Sequence, residues 1–483
     1  MPETIRPDIC VIGAGAGGPQ VAVQAAGFGV RVVLVDPARG GQTGAAAVRT
    51  GHLPLGALAA AARRAHAAAR WPDFGVQAKS IRTDFGRVRE HVEAVIAARA
   101  PNLAPERLAG LGVRVIAGAA KFKDAGTLAV AGDIEIAARR FVIATGSSPA
   151  LPSIAGLDAV PCLTTETAFD LSSCPEHLII IGSGPIGLGF AQAFRRLGAE
   201  VTVLDAAAPL AQHDSECAAV VLDQLAREGL RLRRGTIARV AAEQWPTRPQ
   251  SRLKVVLAGA DGEETIEGSH LMVAGGRWAN VAGLGLDAAG IKFDERGIAV
   301  GMGLKTSNRR VYAIGDVTGE PQPAHVAEHQ ASLVVRNALF RLPVRFDPDG
   351  VPRVVFTDPE LAQTGLTEAA ARSRRHRVRV LRWPYRENDR AHAEGEVRGH
   401  IKVVTNARGR ILGATIVGAG AGELITAWTL AISQGANIRA LAGIVVPYPT
   451  LAEIGKWAAA TYLMSSLTSP WVRRIIALLR RLG

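Results

Sequence analysis

The feature that most constrains this chain is a strand, glycine turn, helix and second strand that occurs twice. The first copy reads "DICVIGAGAGGPQVAVQAAGFGVRVVLVD", residues 8–36, and the second "HLIIIGSGPIGLGFAQAFRRLGAEVTVLD", residues 177–205. Each opens with an apolar strand that runs into glycines in GxGxxG spacing: Gly13, Gly15 and Gly18, then Gly182, Gly184 and Gly187. Each closes on an acid, Asp36 or Asp205. The glycines allow a tight turn and a close approach of backbone to pyrophosphate, and the following helix N-terminus offers free N–H groups to phosphate. The acid is placed to accept a hydrogen bond from a ribose hydroxyl. A lone GxGxxG carries little weight, but the complete unit predicts a nucleotide site. Two units predict two dinucleotides, one held as a prosthetic group and one exchangeable. An acid at Asp205 favours a free 2′-hydroxyl, hence NADH over NADPH.

At 483 residues the chain is too long for one core and predicts several domains. With 48% hydrophobic and 20% charged residues it is an ordinary globular sequence. No apolar run reaches the roughly 18–20 residues that cross a bilayer, and the start passes into a strand without a signal-peptide core. A cytoplasmic protein is expected. The four cysteines, Cys10, Cys162, Cys174 and Cys217, have no metal-ligand spacing, so no metal site is expected. The net charge of +13 raises the question of nucleic acid. The basic run Arg372 to Arg382 ends in alternating Arg and Val, however, which predicts an edge strand with one solvated face. No nucleic-acid motif accompanies it, and no nucleic-acid partner is expected.

Further segments extend the pattern. "FVIATGSSP", residues 141–149, and "VYAIGDVTG", residues 311–319, are buried strands ending in glycine turns, the second with Asp316 where open α/β sheets place ligands. With "AGGRWAN" (274–280), "PRVVFTDPELAQTGLT" (352–367) and "PYPTLAE" (447–453), the chain resembles the pyridine-nucleotide disulfide oxidoreductases from residue 8 to about 465. These include dihydrolipoamide dehydrogenase, glutathione reductase and mercuric reductase. The resemblance implies an α/β fold of two nested Rossmann-like domains, for FAD and NAD, plus an α+β C-terminal dimerisation domain. The expected domains are residues 1–155 and 276–345 for FAD, 156–275 for nicotinamide, 346–465 for the dimer, and 466–483 as a separate helix. It implies a homodimer, with FAD in the first fold, Asp36 on the adenosine ribose and Asp316 on the ribityl chain. Gly41, Thr145, Gly146, Gly276, Arg277 and Gly315 join the glycines and acids as expected cofactor contacts.

Three departures from that family matter. Its first helix after the FAD loop carries two cysteines and then a lysine, and the matching positions here are Ala47, His52 and Gly56. Neither a disulfide nor a charge-transfer thiolate can form there. The nicotinamide loop, which in the family carries a glutamate that pairs with that lysine, reads Gly187, Leu188, Gly189. Losing both members of a buried ion pair avoids leaving one charge unpaired, and it leaves space where a substrate can lie. Finally, the histidine five residues before the dimer-domain glutamate is replaced by Tyr448, with Glu453 retained. Tyrosine is a poor base at neutral pH but a good hydrogen-bond donor. Mercuric reductases share the tyrosine but need thiols that this chain lacks.

The expectation is an FAD-dependent oxidoreductase, reduced by NADH, whose electrons leave the flavin directly for a non-thiol acceptor such as a quinone or small organic molecule. One alternative is a flavin enzyme acting on an organic substrate bound in the altered nicotinamide pocket. Another is a non-catalytic FAD-bearing scaffold. His52 reads either as acid, base or donor at the flavin or as a packing residue. Tyr448 with Glu453 reads either as a catalytic pair or as a dimer-interface hydrogen bond.

The end, "SPWVRRIIALLRRLG", predicts a basic amphipathic helix introduced by Ser469 and Pro470. Trp471, Ile475, Leu478, Leu479 and Leu482 share one face and Arg473, Arg474, Arg480 and Arg481 the other. Such a face suits an anionic membrane surface, which would make the protein peripheral on the inner membrane face. It also suits docking on its own subunit.

Overall fold

The computed structural model describes residues 3–37, 48–49, 51–77, 80–130, 133–243, 252–259, 262–319, 323–374, 377–467 and 470–481. The chain forms two compact units. One comprises Met1–Gly182, Ala238–Leu257 and Glu264–Asp347; the other comprises Ser183–Ile237, Ala258–Glu263 and Pro348–Gly483.

In the first unit the strand Ile9–Ile12 lies at the centre of a five-stranded sheet. It pairs in parallel with Val32–Asp36 on one side and Arg140–Ile143 on the other. Val113–Ala117 and Val311–Ala313 complete the edges, also in parallel. A parallel sheet covered on both faces needs strands apolar at every position, and all four residues of the central strand are buried. Ile9 and Val11 join a core with Val21, Ala25 and Val334 from the helices Gly17–Gly27 and Ala324–Phe340. Cys10 and Ile12 face the opposite core, with Phe122, Leu128 and Ile136. Those residues come from a four-stranded sheet that includes Ala120–Phe122, Leu128–Val130 and Ile134–Ile136. In the same unit His270–Val273 runs parallel to both Cys162–Thr164 and His177–Ile181.

The second unit carries the parallel pair Glu200–Asp205 and Arg231–Arg234 with the helices Pro185–Arg196 and Ser215–Arg227. It also has a five-stranded antiparallel sheet of Arg353–Val355, Glu360–Gly365, Ile411–Gly418, His400–Asn406 and Val378–Pro384. The strand from the basic run is an edge strand, as its alternation predicts. Trp428 from the helix Ala421–Ser433 and Ile454, Ala458 and Tyr462 from Glu453–Leu467 pack on Ile401, Val403 and Ile416 of the sheet.

Two buried charge networks tie this unit together. Arg196 bonds Glu228 and Asp358, each at 2.7 Å. Lys402, 4% exposed, bonds Asp214, Glu216 and Glu368 at 2.9, 3.0 and 2.8 Å. Arg382 shares Glu216 and Glu368. Each cation is matched by several carboxylates, which is what makes burial of these charges tolerable.

Candidate functional site

The first glycine turn is shaped by contacts that only glycine permits. Gly13 has φ +101°, and a Cβ there would stand 2.5 Å from the Ala144 carbonyl oxygen. A Cβ on Gly18 would stand 1.9 Å from the Gly13 carbonyl oxygen. The turn therefore lies directly against the end of the neighbouring strand and against its own helix, Gly17–Gly27. At Gly15 the nearest atom to such a Cβ is 3.8 Å away, so that position faces open space. Asp36 accepts a bond of 3.1 Å from the Ala14 N–H. An open, N–H-rich helix start bounded by a strand-end acid is the cradle that a dinucleotide needs, and these residues fit FAD. Gly41, the remaining expected contact of this stretch, lies outside the described residues.

Next to that turn, two distant segments are laced together. Thr145 Oγ1 donates to the Asn280 carbonyl and Asn280 Nδ2 to the Thr145 carbonyl, both at 2.9 Å, while Asn280 N–H donates to the Gly146 carbonyl. Ser148 Oγ donates to Asn280 Oδ1. Arg277 donates through Nε to Ser147 Oγ and through a terminal nitrogen to the Ser147 carbonyl, each at 2.7 Å, and pairs with Glu166 at 3.1 Å. Ser147 Oγ in turn donates to Asp316 Oδ2 at 2.5 Å. Asp316 sits on the short turn Gly315–Thr318, whose Gly315 N–H donates to the buried Gln330 side chain. Gly276 adjoins Ala150, its Cβ position 3.9 Å from that methyl. Thr145, Gly146, Gly276, Arg277, Gly315 and Asp316 are thus neighbours in one polar seam.

His52 opens the helix His52–Ala68. The residue is exposed to solvent, yet desolvation by the atoms packed round it lowers its pKa. His325 adds to that lowering, Asp316 opposes it, and Arg277 adds again. His52 therefore faces the same seam, with a second imidazole nearby. Gly56 follows one turn later, and among the described residues nothing stands within 4 Å of where its Cβ would be. None of the four cysteines lies on this helix; Cys10 and Cys217 are buried elsewhere. Ala47 lies outside the described residues.

At the second turn, a Cβ on Gly182 would stand 2.6 Å from the Ala274 carbonyl oxygen, and among the described residues nothing stands within 4 Å of a Cβ on Gly184. Gly187 and Gly189 are buried on the helix Pro185–Arg196. Asp205 Oδ2 accepts from the Ser183 N–H and hydroxyl at 2.7 Å each, and Oδ1 accepts from the Ala207 N–H at 2.9 Å. Beside it lies a cleft of about 210 Å³ lined by Ser183, Asp205, Pro209, Leu232, Arg233 and Arg234, among others. These residues fit the adenosine end of a dinucleotide.

Tyr448 and Glu453 are not bonded to each other. The exposed Tyr448 hydroxyl donates to Asp389 at 2.7 Å, which raises its pKa. Glu453 accepts from the Thr450 N–H at the start of its own helix. The terminal helix Pro470–Leu479 leaves Trp471 70%, Leu478 60% and Leu479 57% exposed. Ser469 and Leu482 lie outside the described residues. Among the described residues no helix is long and apolar enough to cross a membrane, and no cluster of metal ligands occurs.

Sequence reasoning missed Ser147, His325, Arg233 and Arg234. His325 was recoverable as a histidine at a helix start shortly after Asp316. The arginines carried no signal, because an alternating basic strand reads as a solvated edge.

Comparison with known proteins finds relatives along most of the chain. Residues 7–331 match the model of the pyridine nucleotide-disulphide oxidoreductase family, and residues 351–459 match that family's dimerisation domain. A mercuric reductase of Streptomyces lividans is 36% identical over 467 residues, covering 94% of this chain and 96% of the relative. A dihydrolipoyl dehydrogenase of Thermus scotoductus is 36% identical over 458 residues, covering 92% and 95%. The Cu(II) complex of the HOCl-induced flavoprotein disulfide reductase RclA from Escherichia coli superposes with a TM-score of 0.83 at 25% identity, covering 95% of this chain and 99% of that one.

Proposed function

The chain belongs to the pyridine nucleotide-disulphide oxidoreductase family, whose members are FAD-dependent oxidoreductases, and from that premise we propose that it oxidises NADH and reduces a non-thiol acceptor. FAD, when bound, supplies the redox centre that takes up two electrons and releases them. The glycine turn at Gly13–Gly18 with Asp36, and the seam of Thr145, Arg277 and Asp316, are the residues that would hold it. The observation that carries the reading is the helix His52–Ala68, which presents a histidine and an open glycine and bears no cysteine.

In this reading His52 handles the proton that accompanies the electrons. Its lowered pKa keeps the imidazole neutral at pH 7, where it can accept a proton at one ring nitrogen. Asp316 and His325 lie close enough to influence that charge. The open space over Gly56 is where a small organic acceptor would enter. Tyr448, held protonated by Asp389, would act as a hydrogen-bond donor by turning its one O–H from that carboxylate to the acceptor, from the partner subunit's side in a homodimer.

The exposed tail favours a quinone among the acceptors. Along Pro470–Leu479 the apolar residues Trp471, Ile475, Leu478 and Leu479 are turned to solvent, and Arg473 and Arg474 of the same helix are exposed as well, with Arg480 and Arg481 following in the turn after it. A Trp and Leu face backed by arginines suits the boundary of an anionic bilayer, where a lipid-soluble acceptor is at hand.

The test is anaerobic mixing of the purified protein with NADH, followed by addition of a quinone or of a disulfide. Flavin bleaching by NADH and recovery with the quinone but not with the disulfide is expected. Turnover with a disulfide at the quinone rate would overturn the reading. Sedimentation with anionic vesicles before and after removal of residues 468–483 tests the tail. Unchanged binding removes the membrane role.

A further inference from the structure

Reducing a quinone to a quinol adds two electrons and two protons, whereas NADH gives up two electrons with one proton. The second proton must come from water. His52 is placed to hand it on, but it stands four residues before Gly56 on the same face of the helix His52–Ala68. An acceptor lying over Gly56 would therefore cover the imidazole and part it from solvent.

A second imidazole is close enough to act on its charge. His325 is the second residue of the helix Ala324–Phe340 and is exposed. That helix is seated on the turn Gly315–Thr318, which carries Asp316: the Gly315 N–H donates to Gln330 at 2.7 Å, and a Cβ on Gly315 would stand 3.2 Å from the Ala327 methyl. Asp316 is fixed in turn by the Ser147 hydroxyl at 2.5 Å and lies 3.9 Å from Arg277. Among the described residues the charged groups that act on His52 come from these elements: His325 from the helix, Asp316 from the turn and Arg277 from the strand Arg277–Ala279.

We infer that His325 is the proton-delivering partner of His52, taking a proton from water and passing it through the His52 ring to the acceptor. The inference rests on the proposal that a non-thiol acceptor is reduced beside His52, and it adds the route by which the second proton arrives. A neutral imidazole has one N–H and one bare nitrogen. The bare nitrogen of His52 gains a proton as an N–H bond of His325 breaks, and the other N–H bond of His52 breaks as an O–H bond forms on the acceptor. His325 then regains its proton from solvent. Desolvation lowers the His52 pKa most and charge on His325 lowers it next, while Asp316 opposes them and Arg277 adds to them. A proton on one ring thus disfavours a second on the other, so the pair passes one proton and does not store two. His325 touches no reacting atom in this scheme and acts only through His52.

Two measurements on the flavin-loaded protein test this. In an NMR titration with isotope-labelled histidine, His325→Gln removes the charge that lowers His52, so the His52 midpoint should move up from its place in the unaltered protein. Anaerobic stopped flow with NADH and a water-soluble benzoquinone should show the acceptor step slowed about tenfold in His325→Gln, less than the roughly 10²-fold of losing a direct proton donor, and restored by added imidazole. His329→Gln, which removes an exposed imidazole one turn further along the same helix, should change neither readout. A His52 midpoint that stays in place in His325→Gln overturns the inference, as does an acceptor step that this variant leaves at full speed or that imidazole fails to restore. Those results, with the unaltered protein still reducing the quinone, sink the relay alone. Failure of the unaltered protein to pass electrons from NADH to the quinone brings down the proposed function and the relay together.

Discussion

Asp205 accepts two hydrogen bonds of 2.7 Å from a single residue, Ser183, through that residue's N–H and its hydroxyl. Asp36 stands in the same relation to Ala14, through one bond of 3.1 Å. In each repeat the acid that ends the second strand braces the glycine turn that leaves the first. The groups expected to face ribose and pyrophosphate are therefore mechanically linked.

Asp205→Ala removes the acceptor for Ser183 and Ala207. Hydrogen bonds to a charged group contribute about 1.5–3 kcal/mol each. NADH affinity should fall by about tenfold or more, measured by titrating flavin reduction, with the flavin content of the purified protein unchanged.

Gly18→Ala brings a Cβ to 1.9 Å from the Gly13 carbonyl oxygen, a backbone atom that cannot rotate away. The turn must shift, and the protein should purify with little bound flavin. Gly27→Ala, in the following helix where nothing among the described residues lies within 4 Å, should keep its flavin and hold or raise stability by up to about 1 kcal/mol. Flavin absorbance per mole of protein and thermal melting distinguish the two.

His52→Asn removes a group that can change charge while keeping a polar side chain. Because burial lowers the pKa of His52 in the folded protein below the ordinary histidine value of 6.5, the neutral form prevails at pH 7 and is lost only in more acid solution. The acceptor half-reaction should slow by about 10²-fold at pH 7 and lose its acid limb. A pH profile that keeps the acid limb in the variant would assign it to another group.

The Glu216 carboxyl is held down to about 2 from the ordinary glutamate value of 4.5, first by the hydrogen bond from Arg382 and then, against the opposing effect of burial, by Lys402. A carboxylate lowered on folding stabilises the native state above the unfolded pKa and loses that contribution as pH falls through the folded one. Thermal melting should therefore drop between about pH 4.5 and pH 2, and Glu216→Gln should flatten that fall. Lys402→Met, which strands Asp214, Glu216 and Glu368 without their buried cation, should cost about 3–5 kcal/mol at pH 7 and recover partly in acid.

Tyr448→Phe deletes the bond to Asp389 at an exposed position, so thermal stability should be little changed. Turnover with acceptor, with flavin reduction by NADH measured separately, shows whether the hydroxyl serves the reaction. A drop confined to the acceptor step assigns it there.

The sequence by itself determined the two dinucleotide units, the placing of Ile9–Ile12 in a fully buried parallel sheet, and the absence of cysteines from the helix that opens at His52. These are local facts: a run of four apolar residues, glycines at fixed spacing, a residue type present or missing. Tertiary structure decided what the side chains do. Asp205 turned out to bind its own turn, Tyr448 to bind Asp389 and not Glu453, and Arg277 to join Ser147, Glu166 and Asp316. Arg233 and Arg234 became part of a cleft only because their strand pairs beside Asp205. Period and spacing are imposed by backbone geometry and can be read along the chain. Hydrogen bonds and charge pairs between residues far apart in sequence depend on which segments the fold brings within about 3 Å, and no one-dimensional pattern records that.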